Sequence, residues 1–337
     1  MVLLVVATVA GAVPVTAAVG MGEQFIGTVN NQSFELRVSD ARILLMIPDP
    51  TSPTIVGGYE GNFVTGGVVG ATVSGGGYDS GFPLSPGENR VTDDYGFVGG
   101  GRGNVAGNEF GLTTDRTHAV VAGGSNNRAW GSHSFIGGGS ANATGTEGIS
   151  FYDVVAGGTS NQANGGSSAV GGGINNKTRG FFSTIPGGRG AIARLRGQWA
   201  YGAGEFNGQT GSAQISIFTL RGETADATPI ALLIDASDKL LIPSDQTWTL
   251  EITVVARSLT GVSAGYRLEG VVENNAGTTA LLGSTKTELY EDAAAWDVAL
   301  SANDTATTLG EVVVTVTGDG NSDVRWVAKV ETVEVDY

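Results

Sequence analysis

The chain has 337 residues, more than one ordinary hydrophobic core organises, so two or three modules are expected. Its 18 Lys and Arg stand against 33 Asp and Glu, and the net charge of −15 disfavours nucleic acid as a partner. The chain has no Cys, which excludes disulfides and thiol chemistry, and its 55 Gly lack the triplet period of collagen.

The first twenty residues are apolar and uncharged, and Pro14 interrupts them. They lack the basic start of a secretory signal and the basic flanks of a membrane span, so membrane insertion is not expected. We interpret 1–20 as a buried strand or docking segment, with a processed signal or an anchor as alternatives. Two strands around a turn at 39–41 should follow. Residues 1–53 are therefore predicted to form an N-terminal attachment and assembly module.

From 54 to 213 the chain repeats an aliphatic residue, a glycine pair, an Asn about three residues on, a small residue, a Gly and a Ser. Landmark glycines from Gly123 to Gly187 are 14, 20, 14 and 16 residues apart. Helical hairpins and propeller blades need about 30–50 residues, so the unit predicts one coil of a parallel β-solenoid. Gly and Asn are expected to adopt left-handed backbone conformations at its turns. The predicted turn residues are Gly123, Gly124, Asn127, Gly137, Gly138, Asn142, Gly157, Gly158, Asn161, Gly171, Gly172 and Asn175.

Three polar insertions interrupt the repeats, at 78–95, 107–119 and 144–153. Because they fall between glycine landmarks, they should leave the solenoid as loops. One inward-pointing aliphatic residue per strand makes a thin core. Several copies of the chain are therefore expected to bury what a single solenoid leaves exposed.

The insertions carry the residues predicted to bind a ligand, with aromatic rings as platforms for sugars: Phe110, His118, Phe151 and Tyr152. A Ser-His-Asp site could be drawn from Ser132, His133 and Asp115. However, the Gly-x-Ser-x-Gly motif of a nucleophile elbow does not surround Ser132. Two histidines also do not make a metal cluster. Polar residues on the outside of a coil are the favoured interpretation.

Tailspike-type β-helices cut polysaccharides with pairs of carboxylates. Four acids in the insertions could supply such a pair: Glu109, Asp115, Glu147 and Asp153. Sequence spacing does not pair them, because separation in a solenoid depends on register. Solvated loop acids are the favoured interpretation, and neither an enzyme nor a cofactor is expected.

From 214 to 337 glycine becomes sparse and apolar residues alternate with polar ones. This period of two, with turn signals between the runs, predicts an antiparallel β-sandwich of jelly-roll type. The predicted strands are 215–221, 229–235, 248–254, 264–273, 279–289, 295–301, 309–317 and 324–330.

One turn in this region places oxygen ligands at alternate positions, as calcium loops do: Asp319, Asn321 and Asp323. Val324 stands where such a loop needs Gly, and the bidentate Glu is not in place. A hairpin turn is the favoured interpretation, and no bound metal is expected.

The repeats resemble the head repeats of YadA-type trimeric autotransporter adhesins and the related repeats of bacteriophage tail fibres. Val121-Ala-Gly-Gly-Ser-Asn-Asn and Val170-Gly-Gly-Gly-Ile-Asn-Asn carry the resemblance. It implies three chains, each a left-handed parallel β-roll, packed around a threefold axis. Thr224-Ala-Asp-Ala-Thr-Pro and Arg325-Trp-Val-Ala-Lys-Val-Glu-Thr resemble C-terminal domains of tail-fibre-like proteins. The charged C-terminal alternation departs from the membrane anchor of the adhesins and favours a fibre.

The sequence therefore predicts an all-β homotrimer: a phage or phage-like tail fibre that attaches a virion to a host-surface glycan or protein. Its N-terminal part would bind other tail or surface-assembly proteins, and 214–337 would form the receptor-binding tip. One alternative is an extracellular adhesin or filament subunit at a bacterial cell surface. Another is a polysaccharide-degrading tailspike.

Overall fold

The fold is all-β, as predicted. In the computed structural model, the described residues are 28, 31–79, 87–145, 151–320 and 322–337. All regular elements in these ranges are strands, so no helix there could span a membrane. The apolar segment 1–20, and with it the predicted docking role, lies outside the described residues.

The chain enters the fold through a β-hairpin of β1 (Phe34–Val38) and β2 (Ala41–Ile47). Ser39 and Asp40 form its turn with φ of +49° and +65°, the left-handed pair that suits the twist of a two-residue hairpin. Strand β2 pairs antiparallel with β3 (Thr54–Gly57), the first strand of the solenoid. The hairpin therefore covers the sheet edge that the first coil would otherwise leave open.

Residues 54–203 form a parallel β-solenoid of about nine turns in the described part of the chain. Its strands in chain order are β3, β4 (Phe63–Val64), β5 (Thr72–Val73), β6 (Arg90–Val91), β7 (Phe97–Val98), β8 (Val105–Ala106), β9 (Val120–Val121), β10 (Arg128–Ala129), β11 (Phe135–Ile136), β12 (Ala143–Thr144), β13 (Val154–Val155), β14 (Gln162–Ala163), β15 (Ala169–Val170), β16 (Lys177–Thr178), β17 (Thr184–Ile185), β18 (Gly188–Arg189), β19 (Ile192–Ala193) and β20 (Trp199–Ala203).

These strands build two facing parallel sheets. The first sheet contains β3, the odd-numbered strands from β5 to β17, and β20. The second sheet contains the even-numbered strands from β4 to β16, and β19. Each coil thus contributes one strand to each sheet and two turns between them.

The register of the coils differs from the predicted glycine spacing. In the first sheet Val121, Ile136, Val155, Val170 and Ile185 stand in line, so these coils are 15, 19, 15 and 15 residues long. The glycines chosen as landmarks are not equivalent positions. Gly123 and Gly157 stand two residues after the buried aliphatic of their coil, whereas Gly137 and Gly171 stand one residue after it. That one-residue offset produced the irregular spacings of 14, 20, 14 and 16.

The tight turn is made by the third residue after the buried aliphatic, which is Gly in successive coils. Gly139, for example, has φ of +83°, and a Cβ there would collide with the carbonyl oxygen of Gly158 in the next coil. Of the predicted glycines, Gly124 and Gly158 occupy this position, while Gly138 and Gly172 precede it with φ of +154° and +150°. The first glycine of each predicted pair does not adopt positive φ, so its assignment as a left-handed turn residue was wrong. These residues are Gly123, Gly137, Gly157 and Gly171.

The solenoid core is as thin as predicted. In the first sheet the strands from β3 to β17 each bury a Val or Ile, such as Val121 or Ile136. In the second sheet the strands from β8 to β19 each bury Ala or Thr, such as Ala129 or Thr144. The Thr144 hydroxyl donates to Ser134 Oγ at 2.9 Å, so this hydroxyl is paired inside the core. One medium and one small side chain per coil bury little apolar surface, so hydrogen bonds must fix the stacking of the coils.

A ladder of buried asparagines supplies those bonds at the turn from the first sheet to the second. The Asn142 Nδ2 donates to the carbonyls of Gly138 and Gly158, at 2.9 Å each. The Asn142 Oδ1 accepts the backbone N–H of Asn161 in the next coil at 2.9 Å. The same arrangement repeats in successive coils, with the buried amides of Asn62, Asn89, Asn104, Asn127, Asn142, Asn161 and Asn176.

This ladder corrects the predicted role of Asn. Asn127, Asn142 and Asn161 do not adopt left-handed φ, whereas the residues that precede them do, with φ from +56° to +58°. The fourth predicted residue, Asn175, is such a preceding residue, with φ of +58°, and the ladder member is Asn176.

The predicted loops lie at both edges of the solenoid. The loops 107–119 and 144–153 leave the turn from the second sheet to the first, and residues 146–150 lie outside the described part. Of the insertion predicted at 78–95, residues 80–86 lie outside the described part, and 78–79 and 87–89 belong to the opposite turn, between β5 and β6. Residues 90–91 form strand β6, because buried Val91 resumes the inward pattern of the second sheet.

The last coil joins the C-terminal region through β20, which pairs parallel with β17 and antiparallel with β21 (Ala213–Thr224). Two glutamines bond the backbone groups at this end. The Gln214 Oε1 accepts the Ile192 N–H at 2.8 Å, and the Gln198 Oε1 accepts the Arg194 N–H at 2.7 Å. The Gln214 Nε2 donates to buried Glu334 at 2.8 Å, and burial raises the pKa of this carboxyl above its ordinary value.

The C-terminal region contains two antiparallel sheets that share one hydrophobic core. The remaining strands are β22 (Ile230–Ala231), β23 (Leu240–Ile242), β24 (Gln246–Ser258), β25 (Ser263–Asn275), β26 (Thr278–Glu291), β27 (Asp297–Asp304), β28 (Gly310–Thr317) and β29 (Val324–Asp336). One sheet has the order β21-β29-β24-β25-β26, and in the other β28 pairs with β22, β23 and β27. These pairings do not show a jelly-roll. The predicted alternation is confirmed, since Trp248 and Leu250 are buried while Thr249 and Glu251 are exposed.

Replacing a ladder amide should destabilise the solenoid. Asn142→Ala leaves the buried Asn161 N–H and the part-buried Gly138 carbonyl without the amide, while the Gly158 carbonyl keeps the Ser140 N–H. We therefore expect a loss of about 2–4 kcal/mol in the free energy of unfolding. Urea denaturation followed by circular dichroism measures this loss.

The matched control is Asn126→Ala, next to the ladder member Asn127. Asn126 is exposed with φ of +57°, and the same position in the next coil is Ala141, with φ of +56°. We expect a change below about 1 kcal/mol for this variant. Equal destabilisation by the two substitutions would contradict the role of the ladder.

Candidate functional site

A column of stacked rings runs along the turn from the second sheet to the first. We call Tyr95, His118, His133 and Tyr152, on four successive coils, the ring column. The Tyr95 and His118 centroids are 5.0 Å apart, those of His118 and His133 are 4.7 Å apart, and those of His133 and Tyr152 are 5.1 Å apart. All four side chains are exposed, so the column presents stacked ring edges to solvent.

The backbone of the turn holds the column in place. Each of the four residues adopts a left-handed conformation, with φ between +55° and +62°. Each backbone N–H donates to a carbonyl of the preceding coil, as in the bond from His133 to Thr117 at 2.9 Å. Since this turn points the side chain out of the coil, the rings of successive coils lie over one another at the coil spacing.

The predicted ligand residues are only partly brought together. His118 and Tyr152 belong to the ring column, and Phe151 lies beside Tyr152, with their centroids 6.4 Å apart. Phe110 instead lies on the loop 107–119, where it lines a cavity. Tyr95 and His133 were not predicted as ligand residues. Alignment on the buried aliphatics would have found them, because each ring stands three residues before that position.

The contact between Ser132 and His133 does not make a nucleophile. The Ser132 Oγ lies 3.0 Å from His133 Nδ1 and 3.1 Å from the carbonyl oxygen of Thr117. Both contacts are satisfied together when the imidazole Nδ1–H donates to the hydroxyl and the hydroxyl donates to the carbonyl. A general base would have to accept from the hydroxyl instead, so the arrangement is structural.

A pair of carboxylates lies at the base of the loop 107–119. The Asp93 side chain is 1% exposed and accepts bonds from the Thr92 hydroxyl and the Asn108 N–H, both at 2.9 Å. Burial raises the pKa of Asp93 to about 6, and its hydrogen bond with the Asp115 carboxyl adds to the rise. Asp93 also accepts the Arg116 N–H at 3.3 Å, so its carboxyl fastens both ends of the loop to the coil.

A cavity of about 240 Å³ lies next to this pair, beneath Phe110 and Leu112. Glu109 lines it and forms an ion pair with Arg90. The Glu109 carboxylate at the cavity wall is therefore already engaged by a side chain of the solenoid.

The other predicted acids are placed differently. Asp153 is not a solvated loop acid. It is fully buried, and its Oδ1 accepts the backbone N–H of Gly166 at 3.0 Å and the Ser168 hydroxyl at 2.7 Å. Burial raises the pKa of Asp153 above its ordinary value. Glu147 lies outside the described residues.

The calcium candidate remains a prediction. Asp319 and Asp323 both precede β29, and Asn321 lies outside the described residues. Among the described residues, no group of three or more His, Asp or Glu side chains could hold a metal ion.

A second candidate surface is the outer face of the first sheet. Its side chains flank the buried aliphatic of each strand and point away from the core. This outer face consists of Ile55, Thr72, Phe97, Val120, Phe135, Val154, Ala169, Thr184 and Trp199 in one row, and of Gly57, Ser74, Gly99, Ala122, Gly137, Ala156, Gly171, Pro186 and Tyr201 in the other. None of these residues is charged.

The outer face continues into the C-terminal region. Tyr201 pairs with Ile215, which pairs with Val333, and all three side chains are exposed. The second sheet has a different outer surface, where Arg90, Arg128 and Lys177 precede the buried residues. One side of the rod is therefore uncharged and largely apolar, while the other carries these basic side chains beside apolar ones such as Phe63 and Ala143.

Comparisons with known proteins found structural likenesses only. The structure is similar to the tailspike protein gp49 from Acinetobacter baumannii bacteriophage Fri1, a capsular polysaccharide depolymerase, with 9% identity and a TM-score of 0.25. It is also similar to the tailspike protein of Acinetobacter phage vB_ApiP_P1, with 10% identity and a TM-score of 0.17. Each match covers 82% of this chain, which spans 61% and 58% of the two tailspike chains. No family model and no curated protein matches the sequence.

The raised pKa of Asp93 should make the stability of the protein depend on pH. Because the pKa in the folded protein, about 6, exceeds the ordinary value of 3.8, the folded state binds more protons between these values. The contribution is present below about pH 4 and is lost as the pH rises through 6. We expect Asp93→Asn to flatten the fall in thermal midpoint between pH 4 and 7, measured by calorimetry. The change should be several degrees, at about 2–4 °C per kcal/mol.

The control is Asp40→Asn, at an exposed hairpin turn. This variant keeps Asp93, so the wild-type slope should persist in it. The buried carboxyls Asp153 and Glu334 have pKa values raised in the same direction, so they retain part of the slope in Asp93→Asn. An unchanged slope in Asp93→Asn would contradict the assignment.

Proposed function

We propose that the chain is one subunit of a homotrimeric fibre that attaches a virion or phage-like particle to a host cell surface. The observation that carries the proposal is the uncharged outer face of the first sheet, which continues into the C-terminal region through Tyr201 and Ile215. An uncharged, largely apolar surface along a whole rod is costly in water and favours self-association.

The number three follows from the resemblance of the repeats to YadA-type heads and tail-fibre repeats. A threefold arrangement lets the same face of each chain point at a common axis, so no copy is left with its apolar face in solvent. The basic second sheet then faces outward, where Arg128 and Lys177 remain hydrated.

In this proposal the solenoid is a stiff spacer with a ligand-binding edge, and the C-terminal sheets form the tip. Three identical sites on one rod bind a surface with a much higher avidity than a single site, because the second and third contacts form at high effective concentration. The ring column, with its exposed ring edges, suits contact with surface glycans. Attachment of the N-terminal part to a particle belongs to the same proposal.

Binding without cleavage is the favoured activity. The Asp93 carboxyl is buried and accepts hydrogen bonds from the Thr92 hydroxyl and the Asn108 N–H, so it does not face an open cleft as a glycosidase acid must. Glu109 is engaged by Arg90 and Asp153 is buried. Release of reducing ends from bacterial polysaccharides by the purified protein would support the depolymerase alternative instead.

Charges on the outer face should dissociate the assembly. The double variant Phe135→Lys with Val154→Lys places two cations on the apolar face, and their burial in an interface is strongly unfavourable. We expect light scattering to give about three times 34.2 kDa for the wild type and a single-subunit mass for the variant.

The control is Gln162→Lys, in the second-sheet strand of the coil that contains Val154. The next coil has Lys177 at that position, so a lysine there is already compatible with the fold. A wild-type protein with the mass of one subunit would rule out the proposed assembly.

Attachment itself is tested with labelled protein on a panel of bacterial strains. We expect saturable binding to a subset of strains, and an apparent affinity at least tenfold lower for the Phe135→Lys, Val154→Lys variant, because avidity is lost. Gln162→Lys should bind like the wild type. Equal binding by the dissociated variant would show that attachment does not depend on assembly.

A further inference from the structure

The row of rings along the solenoid edge is interrupted at one coil. The left-handed position that holds His133 and Tyr152 is occupied by Ser167 in the next coil and by Phe182 in the coil after that. Ser167 and Phe182 have φ of +52° and +59°, and their N–H groups donate to Phe151 and Gly166 as in the other coils. The turn is therefore unchanged at Ser167, and only the ring is missing.

The missing ring leaves a slot between Tyr152 and Phe182. Rings on adjacent coils of the column are 4.7–5.1 Å apart. Tyr152 and Phe182 are separated by two coils, which places them about 9–10 Å apart at the usual strand spacing. One flat ring therefore fits between them, with about 4.5–5 Å to each neighbour, the usual distance for stacking.

Each ring that borders the slot contacts another side chain on the side away from the slot. His133 stacks on the far side of Tyr152, and the Arg196 guanidinium lies 5.4 Å from the Phe182 centroid on the coil beyond. Arg196 is itself held by Asp238. The Tyr152 and Phe182 side chains are 59% and 58% exposed, but each contacts a side chain of a neighbouring coil. The two rings are thus held apart with one coil between them.

The base of the slot is small and polar. Ser167 is exposed, and its backbone position lies between those of Tyr152 and Phe182 in the column. Gly166 precedes it, and the Phe181 ring lies against the space that a side chain at Gly166 would take. The slot thus offers two apolar walls, a hydroxyl at its base and an open side to solvent.

We propose that this slot binds one pyranose unit of a host-surface glycan, and this inference rests on the proposed attachment function. A pyranose has apolar C–H faces and a rim of hydroxyls. Its faces would stack on Tyr152 and Phe182, one hydroxyl would reach Ser167, and the others would stay in solvent. An aromatic side chain would fill the same space but would leave the Ser167 hydroxyl without a new partner, so the sugar is the better match.

The test fills the slot. Ser167→Tyr introduces the residue that Tyr95 and Tyr152 place at the same turn with φ of +58°, so the variant should fold. The control is Ser160→Tyr, the same substitution in the same coil, at φ of +58° on the opposite edge. Phe182→Ser, which removes one wall, is a second variant. Circular dichroism and the thermal midpoint verify that all variants are folded.

Binding is measured by saturation-transfer-difference NMR with the methyl pyranosides of glucose, galactose, mannose and N-acetylglucosamine as probes. We expect transfer to the ring protons of at least one pyranoside in the wild type and in Ser160→Tyr. We expect at least a fivefold loss in Ser167→Tyr and in Phe182→Ser. The aromatic probe N-acetyltryptophanamide is run in parallel.

The slot proposal is overturned if no pyranoside receives transfer from the wild type, if Ser167→Tyr binds as well as the wild type, or if only the aromatic probe binds. These outcomes are separate from failure of the attachment function. Wild-type protein that binds cells but none of the pyranosides removes the slot alone. Wild-type protein that binds a pyranoside in the slot but attaches to no strain removes the attachment function.

Discussion

The buried amide of each ladder asparagine is the interaction on which the solenoid depends. At each turn one buried backbone N–H and two part-buried glycine carbonyls need hydrogen-bond partners. Asn142 offers two N–H donors and one carbonyl acceptor at the required distances. Asp has no donor and Ser has only one, while Gln carries the amide one methylene further out. With a core of one Val or Ile and one Ala or Thr per coil, leaving these groups unpaired would cost as much as the core contributes.

Because the ladder fixes one edge of each coil, the remainder of the coil can vary in length. Asn104 bonds to Gly100, four residues earlier, but Asn89 makes the equivalent bond to Gly75 across the insertion, fourteen residues earlier. The amide thus closes the base of the inserted segment as it closes an ordinary turn. The loop 107–119 leaves at the opposite edge, where Asp93 fastens it through the Asn108 N–H. Insertions therefore change the surface of the rod without changing its register.

The sequence revealed the architecture better than the register. Alternation and short glycine repeats predicted parallel coils and antiparallel C-terminal strands, because both patterns follow directly from which side chains point inward. The glycine pairs were misaligned by one residue, since Val121-Ala-Gly-Gly and Ile136-Gly-Gly-Gly contain glycine at different numbers of positions. The structure shows which glycine makes the turn, because a Cβ added at Gly139 would collide with the carbonyl oxygen of Gly158 in the next coil. The short strand Leu240–Ile242 was missed, because three residues are too few to show a period.

The site was harder to predict than the fold because it is made by stacking. His118 and Tyr152 were chosen as loop residues, but their proximity depends on a coil spacing that the misaligned glycines obscured. Asp153 looked like a loop acid because it borders an insertion, yet its side chain turns inward to bond Ser168. A residue next to an insertion can belong to either the coil or the loop, and only its partners in the neighbouring coil distinguish them.

The outer face of the first sheet and the slot at Ser167 both depend on the register that the asparagine ladder fixes. The outer face of the first sheet needs every strand in register, since one slipped coil would move a buried Val to the surface and a polar residue to the interface. The slot at Ser167 needs the same accuracy along the edge, because its width is set by the coils that carry Tyr152 and Phe182. In the proposed trimer, equal register in three chains would place three slots at the same height on the fibre. A repetitive surface glycan could then be engaged at several points at once, which a single weak sugar site could not achieve.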